Sequence, residues 1–421
     1  MKIKVKEKAY SEIMAEPQEK HIKPKRPNML FRTLLKLVSL PDLIATDFKV
    51  ERIGMDKLGK KEPCLFLMNH SSFIDLEIIS SILYPRPFNI IATTDSFIGK
   101  AWLMRQIGCI PTKKFTSDIS LIRDIVYAVN KLKNSIVLYP EASYSFDGTA
   151  TPLPKTVGGF VKKLGIPVVM VTTYGAFARD PLYNNLQRRK VKVSAVQKYV
   201  LSPDDICAMS ADELQTRIEK LFSFDNFRWQ RENGIKIDAG FRADYLERVL
   251  YKCPACGAEG KTLGKGDTLT CSACGKDYRL TEDGEMQAVT GETEHTHSPD
   301  WYSWERVCVR EELTNGSYRL DVPVEICVSR GIKSLYRVGE GRLIHDGDGF
   351  KLTGCDGELE YFQSAISTYS LYSDFNWYEI GDVICIGNSG VLYYCFPKAE
   401  GVSVAKVRLA TEELFKLKAR K

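Results

Sequence analysis

The stretch Cys64-Leu65-Phe66-Leu67-Met68-Asn69-His70-Ser71-Ser72-Phe73-Ile74-Asp75 decides how this chain is read. Residues 64–68 are apolar strand formers, and the run stops at Asn69-His70. Ser71 and Ser72 can each cap a helix, and residues 74–83 then carry the pattern of a buried one. His70 therefore stands where a strand ends, with Asp75 on the first turn of the following helix. A histidine held by a carboxylate near helix N–H groups has the makings of a general base. The other histidines (His21, His295, His297 and His345) fall in polar or turn-like segments.

Working outward, residues 47–198 alternate strand and helix. Apolar strands read at 64–68, 88–92, 136–139 and 168–173, with a late one at 191–196. A helix reads over 119–132, capped by Ser117 or Asp118, and residues 204–250 read as further helices. This is the pattern of an α/β unit whose site lies at the carboxyl ends of its strands.

The rest of the chain adds different material. A chain of 421 residues is too long for one ordinary domain. Residues 1–27 are polar, basic and broken by Pro17, Pro24 and Pro27, which reads as a flexible arm. Residues 28–40 are almost wholly apolar apart from Arg32, Lys36 and Ser39, and Pro41 closes them. Two readings stand for that helix: packed on the core, or lying in a lipid surface beside the basic arm. No run reaches the roughly 20 apolar residues of a membrane span, and the lysine-rich start is a poor signal peptide.

Four of the 12 cysteines form two Cys-x-x-Cys pairs, Cys253/Cys256 and Cys271/Cys274, with 14 residues between them. Each pair makes a knuckle, relieved by the glycine after it (Gly257, Gly275). A hairpin joining the knuckles gives a four-cysteine zinc ribbon at 251–282, with the metal supplying its folding energy. Scattered cysteines otherwise fit a reducing compartment, so the expected location is the cytoplasm, peripheral on the cytosolic face of a membrane. A net charge of +6 does not call for nucleic acid, and the ribbon loop offers little beyond Lys261 and Lys265. Residues 283–300 read as a solvated linker despite His295 and His297. Residues 301–421 read as a short helix, seven short strands and a closing helix over 411–419, a layout similar to pleckstrin-homology-type domains.

Four blocks in the α/β unit carry a family resemblance. They are His70-x4-Asp75, Gly108-Cys109-Ile110-Pro111-Thr112-Lys113-Lys114, Tyr139-Pro140-Glu141-Ala142-Ser143-Tyr144-Ser145 and Gly165-Ile166-Pro167-Val168-Val169-Met170-Val171. In this order they resemble the lysophosphatidic acid/glycerol-phosphate acyltransferase family, over roughly residues 45–200. Two departures matter. Lys114 stands where the family's second block has arginine, and Tyr144 stands at an arginine position of the third. A lysine lacks the bidentate fork and a tyrosine lacks the charge; Lys113, Lys155 and Lys162 are the cations that would have to compensate.

The resemblance implies a residue-28–250 acyltransferase domain with a mixed sheet flanked by helices, His70 and Asp75 as the catalytic pair, and no protein nucleophile. Gly108, Lys113, Lys114, Glu141, Ser143 and Ser145 are then the substrate-binding candidates, and N–H groups after His70 or around Gly108 the oxyanion donors. The implied donor is an acyl thioester of coenzyme A or an acyl carrier protein, and the acceptor a lysophospholipid. The plainer readings are a buried structural histidine, a helix-capping Asp75, a solvated turn at Lys113-Lys114 and a Tyr144 that only packs. A lipid-binding or scaffold protein on a diverged acyltransferase domain is the alternative function.

Overall fold

The computed structural model describes residues 3–116 and 118–419. The N-terminal arm is not free. Strand β1 (Val5–Glu7) adds in parallel to a C-terminal strand, and helix α1 (Tyr10–Ala15) buries Ile13 to 1% exposure. The Arg330 guanidinium donates to the carbonyls of Ile13 and Met14. Further along, Pro27 packs at Gly108 and the Lys25 carbonyl accepts from Asn89. Composition suggested a flexible arm; one buried isoleucine and a row of backbone hydrogen bonds dock it instead, a signal too sparse for periodicity to show.

Helix α2 (Met29–Ala45) starts at an Asn28 cap whose side chain accepts from Leu30 N, and it runs through Pro41 rather than stopping there. Ser39 and Leu43 face inward. Met29, Leu30, Leu34, Leu37, Val38 and Ile44 are exposed, the last at 75%.

The α/β unit follows in chain order: β2 (Lys49–Ile53), β3 (Leu65–Met68), α3 (Ile74–Leu83), β4 (Phe88–Thr93), α4 (Ala101–Gln106) and β5 (Cys109–Thr112). Then come α5 (Ile119–Asn130), β6 (Ser135–Leu138), α6 (Val157–Leu164), β7 (Val168–Tyr174), the short α7 (Ala176–Arg179) and β8 (Ser194–Leu201). The sheet order is β2-β8-β7-β3-β6-β4-β5, parallel except for the antiparallel β7–β8 pair. Strand β3 shows why a continuous apolar run was needed: Phe66 and Met68 join the core under α3, while Leu65 and Leu67 join the one under α5 and α6. The second sequence block, read as a turn, is the edge strand β5, where Pro111 costs no central ladder bond. The late strand begins at Ser194 rather than 191. Asp118 caps α5, its carboxylate accepting from Ser120 N and Leu121 N; Ser117 lies outside the described residues.

Helices α8 (Pro203–Ala208), α9 (Ala211–Leu221) and α10 (Asn226–Glu232) are followed by loop and one 3-10 turn, so residues 233–250 are less helical than expected. The cysteine unit is a four-stranded antiparallel sheet of β9 (Thr262–Lys265), β10 (Thr268–Cys271), β11 (Asp277–Leu280) and β12 (Met286–Ala288). Residues 283–300 are therefore no solvated linker. Met286 is fully buried, and His297 sits between Asp225 (Nε2 to Oδ2, 2.8 Å) and Arg231 (Nδ1 to Nη1, 3.0 Å).

Helix α11 (Ser298–Asn315) packs Trp301 on Tyr278 of this sheet, its indole donating to the Lys252 carbonyl at 2.9 Å. The β-rich unit comprises β13 (Leu320–Ser329), β14 (Leu335–Asp346), β15 (Gly349–Gly354), β16 (Leu359–Ser364), β17 (Tyr372–Trp377), β18 (Gly381–Gly387) and β19 (Leu392–Pro397). Its order is β16-β15-β14-β13-β19-β18-β17, with β1 of the arm on β14. The closing helix α12 (Val404–Lys418) starts seven residues ahead of the expected 411. Ser403 caps it, and the buried Val404, Val407 and Leu414 fix its inner face. α12 packs against α11 and β17, and its inner face looks back at the α/β unit.

The docked arm generates a stability test. Ile13→Ala should lower unfolding stability by roughly 2–4 kcal/mol, read from urea denaturation, and should raise amide exchange in β14 more than in β3.

Candidate active site

The carboxyl ends of β3, β6 and β7 meet at His70. Asp75 is fully buried, one helical step into α3, and its Oδ2 accepts from His70 Nδ1 (3.2 Å), Ser71 N (2.7 Å) and Ser72 N (3.1 Å). The carboxylate thus caps α3 and orients the imidazole together; the serine side chains do not cap it. A carboxylate can only accept, so Nδ1 carries the proton and Nε2 keeps its lone pair. Thr173 Oγ1 stands 3.3 Å from Asp75 Oδ1 and 3.2 Å from Asn69 Oδ1.

Two tyrosines hold the ring itself. Tyr139 stacks on one face at a centroid distance of 4.1 Å, and Tyr144 leans over at 4.3 Å. The sequence analysis gives Tyr139 no role of its own; its position as the first residue of the third block is the signal that could have marked it. Burial depresses the His70 pKa, the Asp75 hydrogen bond and charge pull it up, and the Lys114 charge pushes it down. The net direction is below the usual 6.5, so the imidazole is neutral at physiological pH.

Glu141 lines the cleft beside His70 and holds that residue's backbone. Its Oε2 accepts from His70 N (2.9 Å) and its Oε1 from Thr151 N (2.8 Å), fixing the backbone on both sides of the site. Burial pushes its pKa up to about 7 against those hydrogen bonds. Ser145 N donates to the His70 carbonyl at 3.1 Å, and Ser145 Oγ to the Thr149 carbonyl at 2.6 Å. Asn69, His70, Ser71, Glu141, Ser145, Gly148, Thr149, Ala150, Phe222 and Phe224 line a cleft with about 210 Å³ of empty volume.

Several sequence expectations change here. Ser71 N and Ser72 N are taken by Asp75, and Gly108 N by the Arg105 carbonyl (3.2 Å), so none of these is an available oxyanion donor. Gly108 precedes β5 at the end of the sheet opposite the site. Its φ of +92° and the approach of Pro27 and the Phe88 carbonyl explain the glycine. Lys113 has turned to the Ser389 carbonyl of the β-rich unit, and Lys162 to the carbonyls of Cys207 and Met209. Lys155 is exposed.

Lys114 is the second-block cation that stays near the dyad, but it is shared. Its ammonium lies 4.2 Å from the centroid of Tyr372, with its pKa lowered by burial and held up in part by Asp95 and Asp374. Asp374 is pushed up to about 7 by burial. Ser143 Oγ accepts from Arg408 Nη2 of α12 at 2.9 Å. Arg408 is a site neighbour that the sequence does not reveal, because it lies 265 positions away.

At the other site the four thiols converge. Every sulfur of Cys253, Cys256, Cys271 and Cys274 lies within 4.8 Å of the others, and the Cys253–Cys274 and Cys256–Cys271 pairs are 3.8 Å apart. A tetrahedral Zn²⁺ with Zn–S of about 2.3 Å has sulfur edges of about 3.8 Å, so the donor set fits that ion.

Residues 49–173 match the acyltransferase family model. A 1-acyl-sn-glycerol-3-phosphate acyltransferase of Brassica napus (BAT2, chloroplastic) is 28% identical over 133 residues, 30% of this chain and 38% of that protein. The Arabidopsis thaliana protein LPAT1, chloroplastic, with the same activity in its name, is 26% identical over 133 residues, 30% of this chain and 36% of its own. The chain thus spans well under half the length of these relatives. The crystal structure of the 1-acyl-sn-glycerophosphate acyltransferase PlsC from Thermotoga maritima aligns over 45% of this chain and 76% of its own, at 19% identity and a TM-score of 0.37.

The geometry sets a pH expectation. A neutral His70 is the reactive form, so kcat/KM should fall as pH drops through an apparent pKa below the usual 6.5. Asp75→Asn should lower kcat by roughly 10²- to 10⁴-fold, measured by initial rates across roughly pH 5–9.

Proposed function

We propose that this protein is an O-acyltransferase that moves a fatty acyl group from a thioester to the hydroxyl of a lysophospholipid. The observation that carries the reading is the His70–Asp75 pair at the end of β3, with Nε2 left as the base. The acyltransferase-family match over 49–173 and the names of the relatives support the same chemistry.

In the proposed reaction His70 Nε2 takes the acceptor's hydroxyl proton as the oxygen attacks the thioester carbonyl carbon. The new C–O bond forms, and the C–S bond breaks from the tetrahedral intermediate. The imidazolium returns the proton to the leaving thiolate, giving an ester and a free thiol of coenzyme A or an acyl carrier protein. Asp75 and the two tyrosine rings favour the transient imidazolium.

The acceptor lives in a lipid surface, and the exposed face of α2 supports peripheral binding there, on the cytosolic side. Trp102 of α4 (66% exposed) meets Phe31 of α2 at 5.6 Å and extends that apolar face. Among the described residues no helix is long and apolar enough to cross a membrane. The four-cysteine unit is proposed to hold one structural Zn²⁺, and the β-rich unit, with its seven strands and closing helix, is proposed to be pleckstrin-homology-like. One observation favours the alternative of a lipid-binding scaffold: Tyr144 stands at the arginine position of the third block.

Turnover decides between them. Labelled acyl-coenzyme A and acyl carrier protein thioesters, offered with lysolipids in vesicles, should give His70-dependent ester formation, and Val38→Glu should reduce it on vesicles but not in detergent. No product with any donor would leave the scaffold reading in place, and product undiminished in His70→Ala would overturn the role of His70. Metal analysis should find about one zinc per chain, lost in Cys253→Ser with the protection of β9–β12.

A further inference from the structure

The third block, Tyr139 to Ser145, contains no lysine or arginine, and Lys113 is bound elsewhere. One guanidinium nevertheless reaches that block from the far end of the chain. Arg408 is only 3% exposed. Its Nη2 donates to Ser143 Oγ at 2.9 Å, its Nε approaches Glu412 Oε1 at 3.3 Å, and its carbon centre lies 4.4 Å from the Phe146 ring centroid. Its Nη1 is shielded from water and has no hydrogen-bond partner among the described residues. A buried donor without an acceptor is costly, and it invites an oxygen ligand.

The local charge has the right sign. Glu412 also serves Arg306 (2.7 Å) and Ser370 (2.7 Å), while Glu413 serves Arg306 (3.2 Å), Arg310 (3.3 Å) and Lys416 (2.6 Å). Two carboxylates thus face four cations of α11 and α12. Burial pushes the Glu412 carboxyl up, but Arg306 and Arg408 outweigh it and keep the group ionised. Lys114 adds a charge near the dyad, where its own ammonium feels Arg408. Ser143, having accepted from Arg408, still has a hydrogen to donate. Its neighbour Tyr144 leans on His70, so the Arg408–Ser143 pair is one residue removed from a ring that touches the base.

We propose that Arg408 of the C-terminal helix, with Ser143 and Lys114, binds the phosphate monoester of the acceptor, so that the C-terminal unit completes the site of the acyltransferase-family domain. The planar fork of arginine suits a phosphate better than a lysine point charge does. This inference rests on the acyl-transfer reading for its choice of ligand, and it requires the interface between α12 and the third block to part enough to admit the headgroup.

Binding tests it without turnover. Full-length protein is titrated with 1-oleoyl-glycerol 3-phosphate and with neutral 1-oleoyl-glycerol, below their aggregation limits, for the wild type, Arg408→Gln, Arg408→Lys and Ser143→Ala. Arg408→Gln should weaken the phosphate-bearing ligand about 10- to 100-fold and the neutral one by less than about twofold, with Arg408→Lys and Ser143→Ala intermediate. Equal affinity, an equal loss for both ligands, or a wild type that does not prefer the phosphate would overturn the assignment. So would higher turnover in Arg408→Gln, which would make the contact an inhibitory latch. Should Arg408→Gln not fold by thermal melting, Arg408→Lys and Ser143→Ala decide by the same selectivity. His70-dependent acylation of the neutral acceptor would stand even if the assignment fails, which separates it from the parent reading.

Discussion

The Asp75 carboxylate is the constraint on which the active-site region depends. It is wholly buried, and a bare charge there would be severely disfavoured without compensation. Two backbone N–H groups and an imidazole N–H supply it. That arrangement ties the start of α3 to the end of β3 and sets the tautomer of His70. Glu141 repeats the device one strand away, bonding His70 N and Thr151 N. Two buried carboxylates therefore hold one histidine, one through its ring and one through its backbone. The tyrosines then pack on its faces, leaving a part-buried base of lowered pKa.

The outer parts of the chain converge on the same place. The arm joins β14 of the β-rich unit at one end and packs at Gly108 of the α/β unit at the other. Ser389 and Tyr372 meet the two lysines of the second block, Tyr378 donates to Asp95 (3.2 Å), and Arg408 meets the third block. The residues that would face an acceptor are thus shared between two units far apart in sequence.

What the sequence revealed follows from the range of the interactions involved. Residues 74–83 form a helix with the limits expected, and residues 65–68 the buried strand before it, because both signals are local and periodic. The thiol cluster was legible from spacing. Val404 and Val407 read as strand formers, yet they line a helix packed on α11 and β17, so tertiary packing overrides propensity. Ile13, Met286, His297 and Arg408 each act through long-range contacts, which no periodicity encodes. The capture of Ser71 N and Ser72 N by Asp75 is local but geometric: it depends on how the chain turns after His70, and the residue types allow either outcome.

The central claim is that His70 is neutral, protonated on Nδ1 and available at Nε2. Nitrogen-15 NMR of the histidine-labelled protein, assigned with His70→Gln, reads both ring nitrogens directly. The account predicts a protonated Nδ1 and a bare Nε2 at pH 7, titrating below the usual 6.5 and shifted by Asp75→Asn. A doubly protonated ring at pH 7, or a proton resident on Nε2, would contradict it.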